Sequence, residues 1–166
     1  MTTYSFFPST ETVIGDAPLI IRRVVRWGDC DPAGIVYTPR FLDYTISAYE
    51  AFIGLMLGGP LHSTKANLGV NFPVRGVELD FHSPLPVDTQ FDMEVRVGEI
   101  RSRTFDLHVT ATRVAAEHPG PVAFLARISP VTVDAANWSA VPLPDVLRSR
   151  ITAYADAYPQ HAEITL

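Results

Sequence analysis

The sequence predicts an α+β fold in which one antiparallel sheet of about five strands wraps a single long central helix. Three observations predict it. Between Arg40 and Leu57 the polar residues Arg40, Asp43, Ser47 and Glu50 recur every three or four positions and form one narrow stripe. Phe41, Leu42, Tyr44, Ile46, Ala48, Tyr49, Phe52, Ile53 and Met56 cover the rest of the circumference, as in a helix enclosed by other structure. From Val77 onward the apolar period switches to two, the pattern of strands with one wet face. No internal repeat and no linker divides the 166 residues, a length that suits one domain burying roughly 70% of its unfolded surface.

Taken in order, residues 1–17 form a lead-in, the first sixteen without periodicity, and Leu19 to Trp27 reads as a first strand rich in Ile and Val. Arg22, Arg23 and Arg26 interrupt its apolar character. Gly28-Asp29-Cys30-Asp31-Pro32-Ala33-Gly34 is a dense run of turn formers, followed by Ile35-Val36-Tyr37. Thr38 is placed as N-cap and Pro39 as the first helical residue, where proline sacrifices no helical hydrogen bond. The helix then runs to about Leu57, Gly58-Gly59-Pro60 ends it, and residues 61 to 68 are expected to add a short helical turn. Val77, Leu79 and Phe81 alternate with Glu78, Asp80 and His82, and Phe91, Met93, Val95 and Val97 with Asp92, Glu94 and Arg96. Phe105, Leu107, Val109 and Ala111 repeat the pattern, and a last run spans Val122 to Val133, giving four antiparallel strands in series. Pro142 and Pro144 introduce a terminal helix over Asp145 to Tyr154, with residues 151–166 as helix end and tail.

The balance of residues excludes several function classes. Hydrophobic residues at 47% against 19% charged are those of a globular chain, not a disordered one. A net charge of -5 offers no field toward nucleic acid or an anionic membrane. The single cysteine, Cys30, forms no internal bridge, and the N-terminal stretch lacks the basic start and apolar run of a signal peptide, so a cytoplasmic address is expected. A sheet around one helix also leaves strand edges, for which pairing with a second copy is the expected remedy.

Candidate chemistry gathers in the loop before the long helix. There Asp29, Cys30 and Asp31 precede a helix N-terminus, whose unpaired backbone N–H groups and positive dipole end form a seat for a developing oxyanion. A carboxylate beside that seat suits acyl transfer, either by attacking a carbonyl or by activating water. Aspartates before Gly and Pro also make side-chain-to-backbone turns, and that plainer role stands beside the catalytic one. Two flanking carboxylates disfavour the Cys30 thiolate, so Cys30 reads as an inert thiol. His62, His82, His108, His118 and His161 show no pair at metal-ligand spacing, and no Gly-x-Ser-x-Gly or phosphate-binding glycine loop occurs. Glu50, on the polar stripe of the helix, is a second candidate base whose plainer reading is an exposed or ion-paired residue.

The run from Gly28 to Tyr37 resembles the signature of the 4-hydroxybenzoyl-CoA thioesterase family of hotdog-fold proteins. The similarity extends through Thr38-Pro39-Arg40-Phe41-Leu42-Asp43-Tyr44, the segment Val77 to Asp88 and the segment Pro142 to Arg148, and so covers residues 18–150 as one domain. The resemblance implies a hotdog fold and hydrolysis of an aryl or short to medium acyl-CoA to free acid and CoA. It implies that Asp31 is catalytic, as nucleophile or general base, and that the Thr38 backbone N–H contributes to the oxyanion hole. It further implies substrate contacts from Tyr37, contacts to the CoA phosphates from Arg101 and Arg103, and a homodimer or homotetramer with sites across the interface. No metal or cofactor is called for, CoA being part of the substrate. Two departures separate the chain from the namesake branch: Thr38 stands where that branch has an aromatic residue, and Asn71-Phe72-Pro73-Val74 does not match its acyl-pocket segment. A non-catalytic acyl-CoA-binding hotdog protein and a thioesterase acting on acyl carrier protein are the alternative readings. A hotdog hydratase ranks below them, because it needs a histidine on the helix and none lies between Asp31 and Leu61.

Overall fold

The computed structural model describes residues 10–60, 64–65, 67–115 and 120–160. Its elements run β1 (Glu11–Asp16), β2 (Leu19–Val24), α1 (Thr38–Leu57), β3 (Val70–Asn71), β4 (Val74–Phe81), β5 (Gln90–Ile100), β6 (Phe105–Arg113), β7 (Val122–Pro130), β8 (Val133–Asp134) and α2 (Asp145–Ala157). The main sheet has six antiparallel strands in the order β1-β2-β5-β6-β7-β4, and β3 pairs with β8 in a separate two-residue ribbon. The period-two segments supply its inner face: Phe91, Met93 and Val95 from β5, Leu107 and Val109 from β6, and Phe124, Ala126 and Ile128 from β7 are all buried.

Against this face lies α1. Phe41, Tyr44, Thr45, Ala48, Tyr49, Phe52, Ile53 and Met56 are buried, and Glu50 is exposed on the polar stripe. Each large buried side chain contributes roughly 1.5–3 kcal/mol of transfer free energy. Leu42 departs from the expected pattern; it sits beside Asp43 on the outer stripe and is exposed. Gly58, with φ of +74°, caps the helix by donating its N–H to the Gly54 and Leu55 carbonyls.

Five expectations need correction. The lead-in is not structureless, because residues 11–16 form β1, an edge strand that pairs with β2 through a bulge at Val13–Gly15. Its role is electrostatic as well. Arg23 falls on the inner face of β2, after Leu19 and Ile21; its guanidinium stacks 4.3 Å over the Tyr44 ring, and Glu11 of β1 neutralises it at 2.7 Å. The first strand stops at Val24, since the chain turns through a 3-10 segment at Trp27–Asp29. The last long run divides into β7 and β8, with Val131 and Thr132 bonding outward to Pro73 and Arg103 instead of continuing the ladder.

The four later strands are antiparallel but not laid in series. β2 occupies one edge of β5, so β4 crosses to the far side and pairs with β7. Finally, Tyr37 and not Thr38 is the N-cap. The extended Tyr37 backbone is held by its N–H to the Asp29 carbonyl at 2.8 Å, so a main-chain bond and no side-chain cap starts the helix. Pro39 then falls within the first turn, where its missing N–H still costs nothing.

The terminal helix α2 runs past Tyr154 to Ala157, across the domain boundary expected at 150. Leu147, Ile151 and Tyr154 are buried against the end of the core. Tyr154 accepts from the Leu19 N–H and donates to the Val95 carbonyl, both at 2.7 Å, and its ring packs edge-on against Phe52. Half of the turn expected over 61 to 68, residues 61–63 and 66, lies outside the described residues. Among those described, no helix is long and apolar enough to cross a membrane.

Candidate active site

The loop between the 3-10 turn and α1 folds back on itself because Asp31 and Gly34 are placed three residues apart. Asp31 donates its N–H to the Ile35 carbonyl and accepts at its own carbonyl from the Gly34 N–H, both at 2.9 Å. Gly34, with φ of +79°, takes the left-handed conformation that a Cβ disfavours by about 1–2 kcal/mol. The Asp31 side chain completes the turn, Oδ1 accepting from the Ala33 N–H at 2.8 Å. The plainer turn-forming role is therefore real, yet it uses one carboxylate oxygen; Oδ2 has no hydrogen-bond partner among the described residues.

Asp29 does different work. Its carboxylate accepts from the Arg26 N–H at 3.2 Å and faces Arg40 of α1 at 3.8 Å, while its carbonyl receives the Tyr37 N–H. Asp29 thus staples the loop to the helix start, and Arg40 is shared with Asp43 at 3.0 Å. Between the two aspartates, Cys30 is half-buried and its thiol contacts the Arg26 carbonyl at 3.6 Å. Burial first, then Asp29, Asp31 and Asp88, push the thiol above its ordinary value, in line with an inert cysteine.

Beyond Gly34 the chain runs alongside the connection from β4 to β5. Val36 donates to Leu85 at 2.9 Å and Val87 to Gly34 at 3.3 Å, and residues of this seam line two cavities. One, of about 680 Å³, is lined by Trp27, Cys30, Asp31, Pro32 and Val87. The other, of about 310 Å³, holds Thr38 among Val36, Phe41, Phe81, His82 and Leu85. Thr38 is the first residue of α1, so its N–H has no intrahelical acceptor and stands at the positive end of a 20-residue helix. Tyr37 is 55% exposed beside it.

Asp31 and Tyr37 stand on the loop that leads into Thr38, with Asp31 and Thr38 lining the two neighbouring cavities, whereas Arg101 and Arg103 stand elsewhere. Phe41 near the start of α1 packs on Phe81 and Phe124, whereas Phe52 near its end packs on Phe105, the first residue of β6. The β5–β6 turn that carries both arginines therefore lies by the far end of a helix about 30 Å long. Arg101 is also engaged, bonding buried Asp106 at 3.0 and 3.2 Å and Glu99 as well. Arg103 is exposed and has no ion pair among the described residues.

Two site residues escape a reading of the sequence. Trp27 looks like the end of a strand but is 86% exposed over the Asp31 cavity, and His82 looks like the polar partner of Phe81 but lines the Thr38 cavity. Among the described residues, no cluster of His, Cys, Asp and Glu could hold a metal; His62, His118 and His161 lie outside them.

Comparisons with known proteins bear on the fold and the family. A curated relative, 1,4-dihydroxy-2-naphthoyl-CoA hydrolase of Synechococcus elongatus, is 29% identical over 136 residues, which are 81% of this chain and 96% of the relative. A thioesterase superfamily structure from Jannaschia sp. superposes with a TM-score of 0.73 at 25% identity, covering 84% of this chain and 94% of its own. A mutant 4-hydroxybenzoyl CoA thioesterase complexed with 4-hydroxybenzoyl CoA shares the hotdog fold, with a TM-score of 0.73 at 18% identity over 80% of this chain and 96% of its own. The model of the thioesterase-like superfamily matches residues 25–151, from the end of β2 into α2, and the chain belongs to that superfamily.

Proposed function

We propose that this protein hydrolyses the thioester of an acyl-CoA to the free acid and CoA, with Asp31 as the catalytic carboxylate and the Thr38 N–H as oxyanion donor. The observation that carries this reading is a carboxylate whose Oδ2 is unengaged, on the loop that leads directly into a long helix whose first N–H has no intrahelical acceptor. Two of the similar proteins are named as acting on CoA thioesters, the 1,4-dihydroxy-2-naphthoyl-CoA hydrolase and the 4-hydroxybenzoyl CoA thioesterase, which supports it.

Two routes are open to the carboxylate. In one, Oδ2 attacks the carbonyl carbon, the C–S bond breaks, and water cleaves the resulting anhydride. In the other, Asp31 takes a proton from water as that water attacks, and returns it to the departing thiolate. In both, charge develops on the former carbonyl oxygen, where the N–H and the helix dipole stabilise it. Tyr37 adds a substrate contact at the rim.

The functional unit of this proposal is a homodimer. β4 is a sheet edge bonded only to β7, and Phe81 at its end is 48% exposed, so pairing along β4 would cover both the edge and the mouth of the Thr38 cavity. Arg103, and Arg101 in so far as Asp106 releases it, then serve the CoA phosphates of a site on another copy. A lone, unbridged cysteine fits a cytoplasmic setting.

The deciding experiment is thiol release from a panel of aryl and aliphatic acyl-CoAs, with wild type and Asp31→Asn side by side. Asp31→Asn should fold normally and lose about a hundredfold to ten-thousandfold in kcat. Near-wild-type turnover by that variant sinks the assignment of Asp31; binding without turnover by wild type sinks the enzyme reading.

A further inference from the structure

Tyr44 of α1 is fully buried, and its hydroxyl has no hydrogen-bond partner among the described residues. A donor shut away from water without an acceptor is costly, so its retention calls for an explanation. The ring is held in place. Arg23 covers it at 4.3 Å and is fixed there by Glu11 at 2.7 Å, while Phe91 packs against it with ring centroids 5.3 Å apart. Two charged groups act on the hydroxyl. Burial first, and next Asp29, push its pKa well above the usual tyrosine value, and Arg23 opposes them.

The two neighbours differ in what they can exchange. A guanidinium only donates, so Arg23, whose buried Nε is itself unpaired, can offer a proton to the tyrosine oxygen but cannot receive one from it. Asp29 can. Its Oδ2 accepts from the Arg26 N–H, but its Oδ1 meets only Arg40, at 3.8 Å, an ion pair beyond hydrogen-bond length that leaves this oxygen able to accept. Tyr44 and Thr38 belong to the same helix, and Asp29 stands two residues before Asp31. A bond from Tyr44 to Asp29 therefore ties the Asp31 loop to the helix whose first N–H is the oxyanion donor of the proposed reaction. We infer that Tyr44 is a positioning residue, its hydroxyl donating to Asp29 Oδ1 and so holding Asp31 in register with Thr38. This inference rests on the thioesterase reading above. Tyr44 touches no reacting atom and acts through Asp29.

The test is kcat and KM for thiol release in wild type, Tyr44→Phe, Asp29→Ala and the double variant, on the acyl-CoA that wild type turns over fastest. Tyr44→Phe keeps the ring and its packing, so urea unfolding should stay close to wild type. Its kcat should fall about tenfold with KM within about twofold, the mark of a misplaced carboxylate and not of lost substrate contacts. Asp29→Ala should lose at least as much, and adding Tyr44→Phe to it should change kcat by less than about twofold, because the hydroxyl then has no acceptor to hold. An undiminished kcat in Tyr44→Phe, or the same loss with and without the Asp29 carboxylate, overturns the inference. Should wild type release thiol from no ester, the thioesterase reading fails, and the Tyr44–Asp29 bond is then decided separately by proton NMR of the tyrosine hydroxyl. A slowly exchanging resonance, lost in Tyr44→Phe and displaced in Asp29→Ala, upholds the bond; its absence from wild type, or its indifference to Asp29→Ala, overturns it.

Discussion

Cys30 tests whether proximity to the proposed catalytic carboxylate means participation. It sits between Asp29 and Asp31, the position a nucleophile would occupy, yet burial and three carboxylates raise its pKa and keep it a thiol. A thiolate is the reactive species, so alkylation by iodoacetamide at pH 7.5 should be slower than for a free cysteine, and the rate should rise steeply above pH 9. Cys30→Ser should retain thiol release within about threefold of wild type, in contrast to Asp31→Asn. A Cys30→Ser enzyme as impaired as Asp31→Asn would move the chemistry to sulfur. Asp29 differs from both, since its oxygens face Arg26 and Arg40, which makes it the residue that positions the loop.

At the scale of an element, the β5–β6 hairpin is held by Asp106, a carboxylate only 4% exposed on the outer face of β6. Burial alone would raise its pKa, but hydrogen bonds from Arg101 and Ser129 outweigh burial and hold it below the ordinary value. His108, two residues along, is shifted down chiefly by burial, so the folded state favours its neutral form. The signs agree. For both groups the folded pKa is below the unfolded one, so their contributions are present above the unfolded pKa and fade as pH falls through the folded value. Urea unfolding should show a stability plateau near about pH 7, declining first below about pH 6.5 through His108 and again below about pH 4 through Asp106. Asp106→Asn should cost about 2 kcal/mol at pH 7 and flatten the lower step. Loss of the lower step with no loss at pH 7 would contradict this account.

The same elements show what the sequence makes legible. Period and side-chain type identified α1 and the four long strands, because the inner face of a sheet around a helix must be continuous hydrocarbon. They could not identify β1, whose Glu11, Thr12 and Gly15 do not alternate; that strand is held by pairing with β2 and by the Glu11–Arg23 ion pair. The Asp31 loop was legible because turn formers precede a helix start. The distance of Arg101 and Arg103 from it was not, since only the path of β4 across to β7 and the length of α1 place them at the other end. His82 was legible as an exposed residue on the side of Asp80, which it contacts at 3.0 Å; its place in the lining of the Thr38 cavity was not, since it stands one residue beyond the end of β4.

Over the whole molecule, the two sheet edges are not equivalent. β1 is bulged in the middle of its six residues and holds the part-buried Glu11–Arg23 pair, whereas β4, after a bulge at Val74–Gly76, is regular to Phe81 and ends at the Thr38 cavity. A second copy added along β4 would extend the sheet and close that cavity with residues of the partner, so assembly and activity should be coupled. Sedimentation should therefore find dimers, and activity per chain should fall as dilution passes the dissociation constant of the pair, in proportion to the dimer remaining. Phe81→Glu, which puts a charge at the end of that edge, should shift the protein to monomer and reduce thiol release by roughly tenfold or more. Because Phe81 also walls the cavity, the dilution series on unmodified protein is the decisive arm. Specific activity that stays constant while the dimer dissociates would mean that one chain carries a complete site, and the shared-site proposal would be lost while Asp31 kept its role.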